Sequence, residues 1–162
     1  MGDPTLAELD IPTLVMLTGE AVRAQVTERV HAAGFADIRP AHGFVFQHLI
    51  DRSPTVSELA RHLGITQQGA SKLVVELETL GYVSRENDPS DSRVRRITLT
   101  DRGTACIATA REVRAEYQAA LAKTLGKSGL TALTTGLAAF ADRLGLAESV
   151  RGRQVKLPAH ER

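Results

Sequence analysis

Residues 55–83, TVSELARHLGITQQGASKLVVELETLGYV, decide the fold. Thr55 and Glu58 have the spacing of a capping box, in which a hydroxyl and a carboxylate each satisfy an orphan amide at a helix start. Val56, Leu59, Ala60 and Leu63 follow at i, i+3, i+4 and i+7, the buried stripe of an amphipathic helix. Gly64-Ile65 interrupts it, and Thr66 supplies the hydroxyl to cap another helix in which Ala70, Leu73, Val74 and Leu77 repeat the spacing. Two short helices joined by a tight glycine-containing turn make a helix-turn-helix.

After Gly81 the pattern changes from helical to alternating. Residues 82–85 (YVSR) and 94–99 (VRRITL) predict two strands around a loop holding Asn87-Asp88-Pro89-Ser90-Asp91. A hairpin directly after the second helix is a wing. On the N-terminal side, Pro12 suits the first turn and Gly34 the stop of a helix over 12–33. Its Leu14, Val15, Leu17, Val22, Val26 and Val30 cover more than one face, so it packs against two things at once. Pro40 begins a helix to Ile50, ended by the Asp51-Arg52-Ser53-Pro54 turn cluster. On the C-terminal side, Thr100-Asp101 caps a long helix to Leu125. Ser128 caps another, whose Leu130, Leu133, Leu137, Phe140 and Leu144 form a seam that needs a partner. The tail after Leu146 is polar, basic and expected to fray. The expected fold is mainly α with a small β-hairpin wing.

Composition removes several alternatives. The 162 residues suffice for one domain with helical extensions, and 43% hydrophobic with 24% charged residues is an ordinary globular balance. The longest run without Asp, Glu, Lys or Arg, Ser128 to Ala141, is 14 residues. A membrane span needs about 20. The first ten residues hold three acids and no base, which lacks the cationic start of a secretory signal and predicts a cytoplasmic protein. The single cysteine, Cys106, cannot form an internal disulfide or a zinc ribbon. Net charge is only +1, so any nucleic-acid reading rests on placement. Residues 55–103 carry seven acids and seven bases, yet Arg93, Arg95 and Arg96 fall within four residues of one another.

The solvent side of the second short helix carries Gln67, Gln68, Ser71, Lys72 and Val75, with Thr66 at its N-terminus. Glutamine can bond an adenine edge as donor and acceptor together, hydroxyls and lysine suit phosphates, and an exposed aliphatic can touch a thymine methyl. Gly69 inside this helix costs about 1 kcal/mol relative to Ala, which points to a close approach at that position. His42 and His48 are six apart, about 240° around a helix, so they do not share a face as zinc ligands would. No metal or cofactor is expected. Cys106 sits among Ala105, Ile107 and Ala108, the setting of a small core residue more than of a redox sensor. Without a Gly-rich phosphate loop, a His-Glu-x-x-His or a nucleophile elbow, the chain is not expected to be an enzyme.

Three motifs occur in order: Gly81-Tyr82-Val83, Asn87-Asp88-Pro89-Ser90-Asp91-Ser92-Arg93, and Ile97-Thr98-Leu99-Thr100-Asp101-Arg102-Gly103. They resemble the MarR family of bacterial transcriptional regulators, whose wing carries Asp-x-Arg ahead of a Leu-Thr-x-x-Gly close. The resemblance covers residues 12–145 and is strongest over 55–103. It implies a winged helix-turn-helix domain at 40–103, dimerisation helices at 1–39 and 104–146, and a basic tail at 147–162. By resemblance Thr66, Gln67, Gln68, Ser71 and Lys72 lie on the recognition helix, and Asp91 and Arg93 fill the Asp-x-Arg positions, with Arg95 and Arg96 beside them. A narrow minor groove concentrates negative potential and attracts an arginine, the role implied for Arg93. The family further implies a homodimer on an inverted-repeat operator in duplex DNA, repressing transcription. A small aromatic or anionic effector is implied between the dimerisation helices and the DNA-binding lobe, with Met16, His42 and Phe46 as candidate lining residues. Two other readings stay open: a dimeric helical interaction module without operator binding, and a regulator that senses oxidation through Cys106.

Overall fold

The computed structural model describes residues 5–151 and 156. A single 3-10 turn, Leu6–Glu8, leads into α1 (Ile11–Ala32), whose N-cap Asp10 accepts from the Thr13 amide and whose Pro12 falls in the first turn. Then come α2 (Pro40–Leu49), α3 (Val56–Leu63), α4 (Gln67–Thr79), the strands β1 (Val83–Asn87) and β2 (Arg95–Leu99), and α5 (Asp101–Arg143). α6 (Leu146–Arg151) opens the segment expected to be a frayed tail; of the remainder, only residue 156 is described.

The caps lie where hydroxyls and glycines place them. Thr55 accepts from the Glu58 amide while the Thr55 amide donates to Glu58 Oε2 at 2.8 Å, the complete capping box. These bonds to Thr55 hold the Glu58 carboxyl below its ordinary pKa. Gly64 ends α3 at φ 68°, a left-handed conformation that costs a glycine nothing and turns the chain sharply into α4. α5 is broken by non-helical backbone at Gly126, giving arms 101–125 and 127–143. The break thus falls two residues before Ser128, which lies inside the second arm instead of capping it.

β1 and β2 pair antiparallel, with Val83 opposite Leu99 and Asn87 opposite Arg95. The Ile97 amide also donates to the Pro54 carbonyl at 2.9 Å, fastening the wing to the loop before α3. The core lies where α1, α2, the helix-turn-helix and the start of α5 meet; Val30, Phe46, Leu59, Leu63, Leu77, Tyr82, Ile97 and Ile107 are buried there. Gly103 explains the Leu-Thr-x-x-Gly close. A Cβ on it would stand 2.2 Å from the Tyr82 carbonyl oxygen, so only glycine lets α5 start against β1. Thr100 completes that junction, donating its hydroxyl to the Gly81 carbonyl at 2.7 Å and accepting from the Gly103 amide at 3.1 Å.

Candidate nucleic-acid interface

α4 presents an open face. Thr66, Gln67, Gln68 and Lys72 are exposed, Ser71 is half-buried, and Val75 is 49% exposed, while Ala70, Val74 and Leu77 are buried on the opposite side. The hydrophobic stripe of the sequence therefore orients the polar residues outward together. Gly69 has a local explanation. Its amide donates to the Thr66 hydroxyl at 3.1 Å, and a Cβ there would lie 3.2 Å from that same oxygen. The close approach within the chain is the helix's own cap.

The three wing arginines have different surroundings. Arg93 is exposed at the end of the 88–93 loop. Asp91 Oδ1 accepts from the Arg93 backbone amide at 3.0 Å, so Asp91 anchors the loop and does not hold the guanidinium. Arg95 is exposed, with Nη1 3.5 Å from the Arg85 carbonyl oxygen. Arg96 turns inward. Its Nε donates to Asp88, its Nη1 donates to the Ser53 carbonyl at 3.0 Å, and Glu58 lies 3.6 Å away. Expected beside Arg93 and Arg95 as a DNA contact, Arg96 is turned by the alternation along β2 towards the joint between wing and α3 while Arg95 points outward, and its side chain stays 37% exposed. Asp88 also accepts from the Ser90 hydroxyl and amide, and with Arg96 these bonds hold its carboxyl far below the usual range.

Behind this surface lies a cavity of about 280 Å³ between α1, α2 and α5. Val30, Ile38, Pro40, Phe44, Phe46, Ile107 and Ala110 give it apolar walls, and Arg23, Arg39, Arg114, Thr27, Gln47 and Cys106 add polar groups. Among the described residues no carboxylate lines it. Of the three expected lining residues, only Phe46 is there. His42 is fully buried, its Nδ1 accepting from the Arg39 amide at 3.2 Å and its Nε2 facing Glu76 at 3.4 Å. Burial pushes its pKa down and keeps the ring neutral. Met16 is 74% exposed on the first half of α1, where no neighbouring element covers it.

The sequence reading missed Arg23, Arg39 and Arg114. A signal existed for two of them: Arg23 and Thr27 share a helix face with the apolar Val30 at i, i+4 and i+7, and Arg114 shares one with Ile107 and Ala110 at i, i+3 and i+7. Cys106 is buried in the core, as its neighbours in sequence led us to expect, and burial pushes its thiol up to about 11.

A family model described as MarR family matches residues 36–94. Over 116 residues the chain is 31% identical to the HTH-type transcriptional repressor Rv2887 of Mycobacterium tuberculosis, covering 70% of this chain and 78% of that protein. A 49-residue stretch is 41% identical to a riboflavin kinase of Thermoplasma volcanium, but it spans 30% of this chain and 21% of the kinase, too little to carry an activity across. Among solved structures, an S. aureus MepR–DNA complex aligns at a TM-score of 0.66 and 20% identity, covering 83% of this chain and 97% of that one. Mycobacterium tuberculosis RV1404 aligns at 0.69 and 20% identity, covering 86% and 97%. An outward-facing second helix framed by a two-stranded wing makes this a winged helix-turn-helix protein, a DNA-binding regulator of transcription. The chain belongs to the MarR family.

Proposed function

We propose that the protein is a homodimeric repressor that recognises an inverted-repeat operator and is released from it by a small effector. The observation that carries the reading is the shared exposure of Thr66, Gln67, Gln68, Lys72 and Arg93, a helix face and a wing tip whose donors answer a major groove and the adjacent minor groove. Residues 40–103 form the DNA-binding part; α1 with the arms of α5 forms the dimerisation part. Exposed Ile11, Val15, Met16 and Leu17 on α1, Leu133 and Leu137 on α5, and Leu144 at its C-cap give that second part an apolar surface of the kind a subunit interface buries. Repression is carried over from a relative named a repressor, and small-molecule binding from S. aureus MepR, solved bound to ethidium bromide. The cavity behind the helix-turn-helix is the effector site in this reading.

The test starts from a random duplex library. The purified protein should select a two-fold symmetric sequence with half-sites about 10 base pairs apart. Affinity for it should fall steeply as salt rises, because each neutralised phosphate releases counterions. Selection of no sequence, or an asymmetric footprint, would leave the dimeric helical module as the better reading.

A further inference from the structure

We propose that Lys156 is a further DNA contact: its aliphatic stem lies along Gly64 in the turn between α3 and α4, and its ammonium meets a backbone phosphate beside that turn. The proposal rests on the DNA-binding reading above and adds to it a residue from beyond α6, outside the winged helix-turn-helix. Cγ and Cδ of Lys156 each stand 3.5 Å from the position a Cβ on Gly64 would take, and its Cβ stands 3.9 Å from it. Three successive carbons at van der Waals distance lay the stem along the turn. Lys156 is nonetheless exposed, the pattern of a side chain whose stem covers the protein while its charge stays in water. Among the described residues no carboxylate pairs with that charge.

The turn is where a phosphate should pass. Gly64 closes α3, and Thr66, two residues on, is the N-cap of α4, followed directly by the exposed Gln67 and Gln68. A recognition helix sets its N-terminal residues against base edges, so the turn just ahead of it comes level with the phosphates that border the groove. The left-handed φ that demands glycine at 64 also leaves a bare backbone surface there, and the stem occupies it. Arg61, exposed in the last turn of α3, adds positive charge three residues before the same glycine.

The chemistry selects phosphate over base. An ammonium is a compact, strongly hydrated point charge without the planar fork by which a guanidinium addresses a base edge. Contacts to phosphate position a protein and carry no sequence information. Lys156 should therefore contribute affinity and salt dependence, and leave the choice among operators to α4 and the wing. Residues 147–162 hold four bases and two acids, and the seat on Gly64 brings part of that excess to the DNA-binding surface.

The test compares Lys156→Ala with Lys127→Ala, which removes the same charge from an exposed position on the second arm of α5. In the full chain without DNA, the backbone amide resonances of Gly64 and Ile65 should move in Lys156→Ala and stay in place in Lys127→Ala. On the selected operator, Lys156→Ala should lower the magnitude of the salt slope by about one per subunit. The wild-type advantage should then shrink about three-fold per subunit between about 50 and 200 mM salt. Lys127→Ala should keep the wild-type slope, and so should Lys156→Arg, which retains the charge. Relative affinities among operator variants should be the same in Lys156→Ala as in wild type. The contact is overturned if Lys156→Ala keeps the wild-type slope, if it alters the preference among operators, or if it binds more tightly, which would make the stem an inhibitory strap. A reduced slope with unmoved Gly64 and Ile65 resonances overturns the seat on the turn. A wild-type protein that binds no duplex strikes the DNA-binding reading and this contact with it, whereas a wild type that binds no better than Lys156→Ala strikes the contact alone.

Discussion

Arg93, Arg95 and Arg96 show how far one residue's role can be read from a string. Alternation along a strand establishes that Arg95 and Arg96 face opposite ways. It does not say which faces inward, because that depends on the Ser53 carbonyl and the Asp88 carboxylate, 43 and 8 residues away in the chain. Two substitutions separate the roles. Arg93→Ala should leave the melting temperature unchanged, weaken operator binding, and lower the magnitude of the salt slope by up to about one. Arg96→Ala should lower the melting temperature as well as the affinity, since it removes the wing's tie to the Ser53 carbonyl and leaves the Asp88 carboxylate bonded to Ser90 alone among the described residues. An Arg96→Ala protein as stable as wild type would mean that the joint contributes nothing. On α4, Gln68→Ala should change the preference among operator variants by about 1–3 kcal/mol if the side chain reads a base. Uniform weakening across the variants would assign it to the backbone.

At the scale of elements, the helix starts were legible because a hydroxyl or carboxylate at the cap is a local signal. The Thr55–Glu58 box and the Thr66 and Thr100 caps all stand where the residues indicated. What was not legible is contact between elements. The Leu99-Thr100-x-x-Gly103 close was visible only as a resemblance, yet its reason is the Tyr82 carbonyl beneath Gly103. Gly103→Ala should therefore destabilise the fold by about 1–3 kcal/mol or more, since the nearest obstacle is the Tyr82 backbone, which cannot move aside as a side chain can. A denaturation midpoint equal to wild type would show that α5 can shift without cost. His42 makes a second element-level case. Its pKa is depressed by burial between α2 and α4, so the unfolded chain takes up a proton that the folded chain resists. Stability from this group is complete above the unfolded value, about 6.5, and is lost as pH falls below it. Urea midpoints measured from pH 8 to 5 should decline in wild type and decline less in His42→Gln.

For the whole molecule, the sequence showed unpartnered seams better than it showed the cavity. A seam is a periodic property of one helix, and Leu130, Leu133, Leu137, Phe140 and Leu144 announce it alone. The cavity needs α1, α2 and α5 to converge, and no single stretch reveals that Arg23, Arg39 and Arg114 meet there. Met16 illustrates the difference: expected as a candidate effector contact, it does not line this cavity and lies among the exposed apolar residues of α1. Those residues and the outer arm of α5 lie away from the core that α2, the helix-turn-helix and the start of α5 build. Assembly and domain folding should consequently separate. Leu133→Glu with Leu137→Glu places two charges on a surface that a second subunit must desolvate, while touching none of the buried core. Sedimentation at micromolar concentration should show a monomer with wild-type circular dichroism. That monomer should lose operator binding far beyond any local effect, because one recognition helix engages a single half-site and forfeits the effective concentration that its linked twin supplies. A double variant that remains dimeric would move the interface off α5, and one that is monomeric yet binds operator at full affinity would remove the need for a dimer.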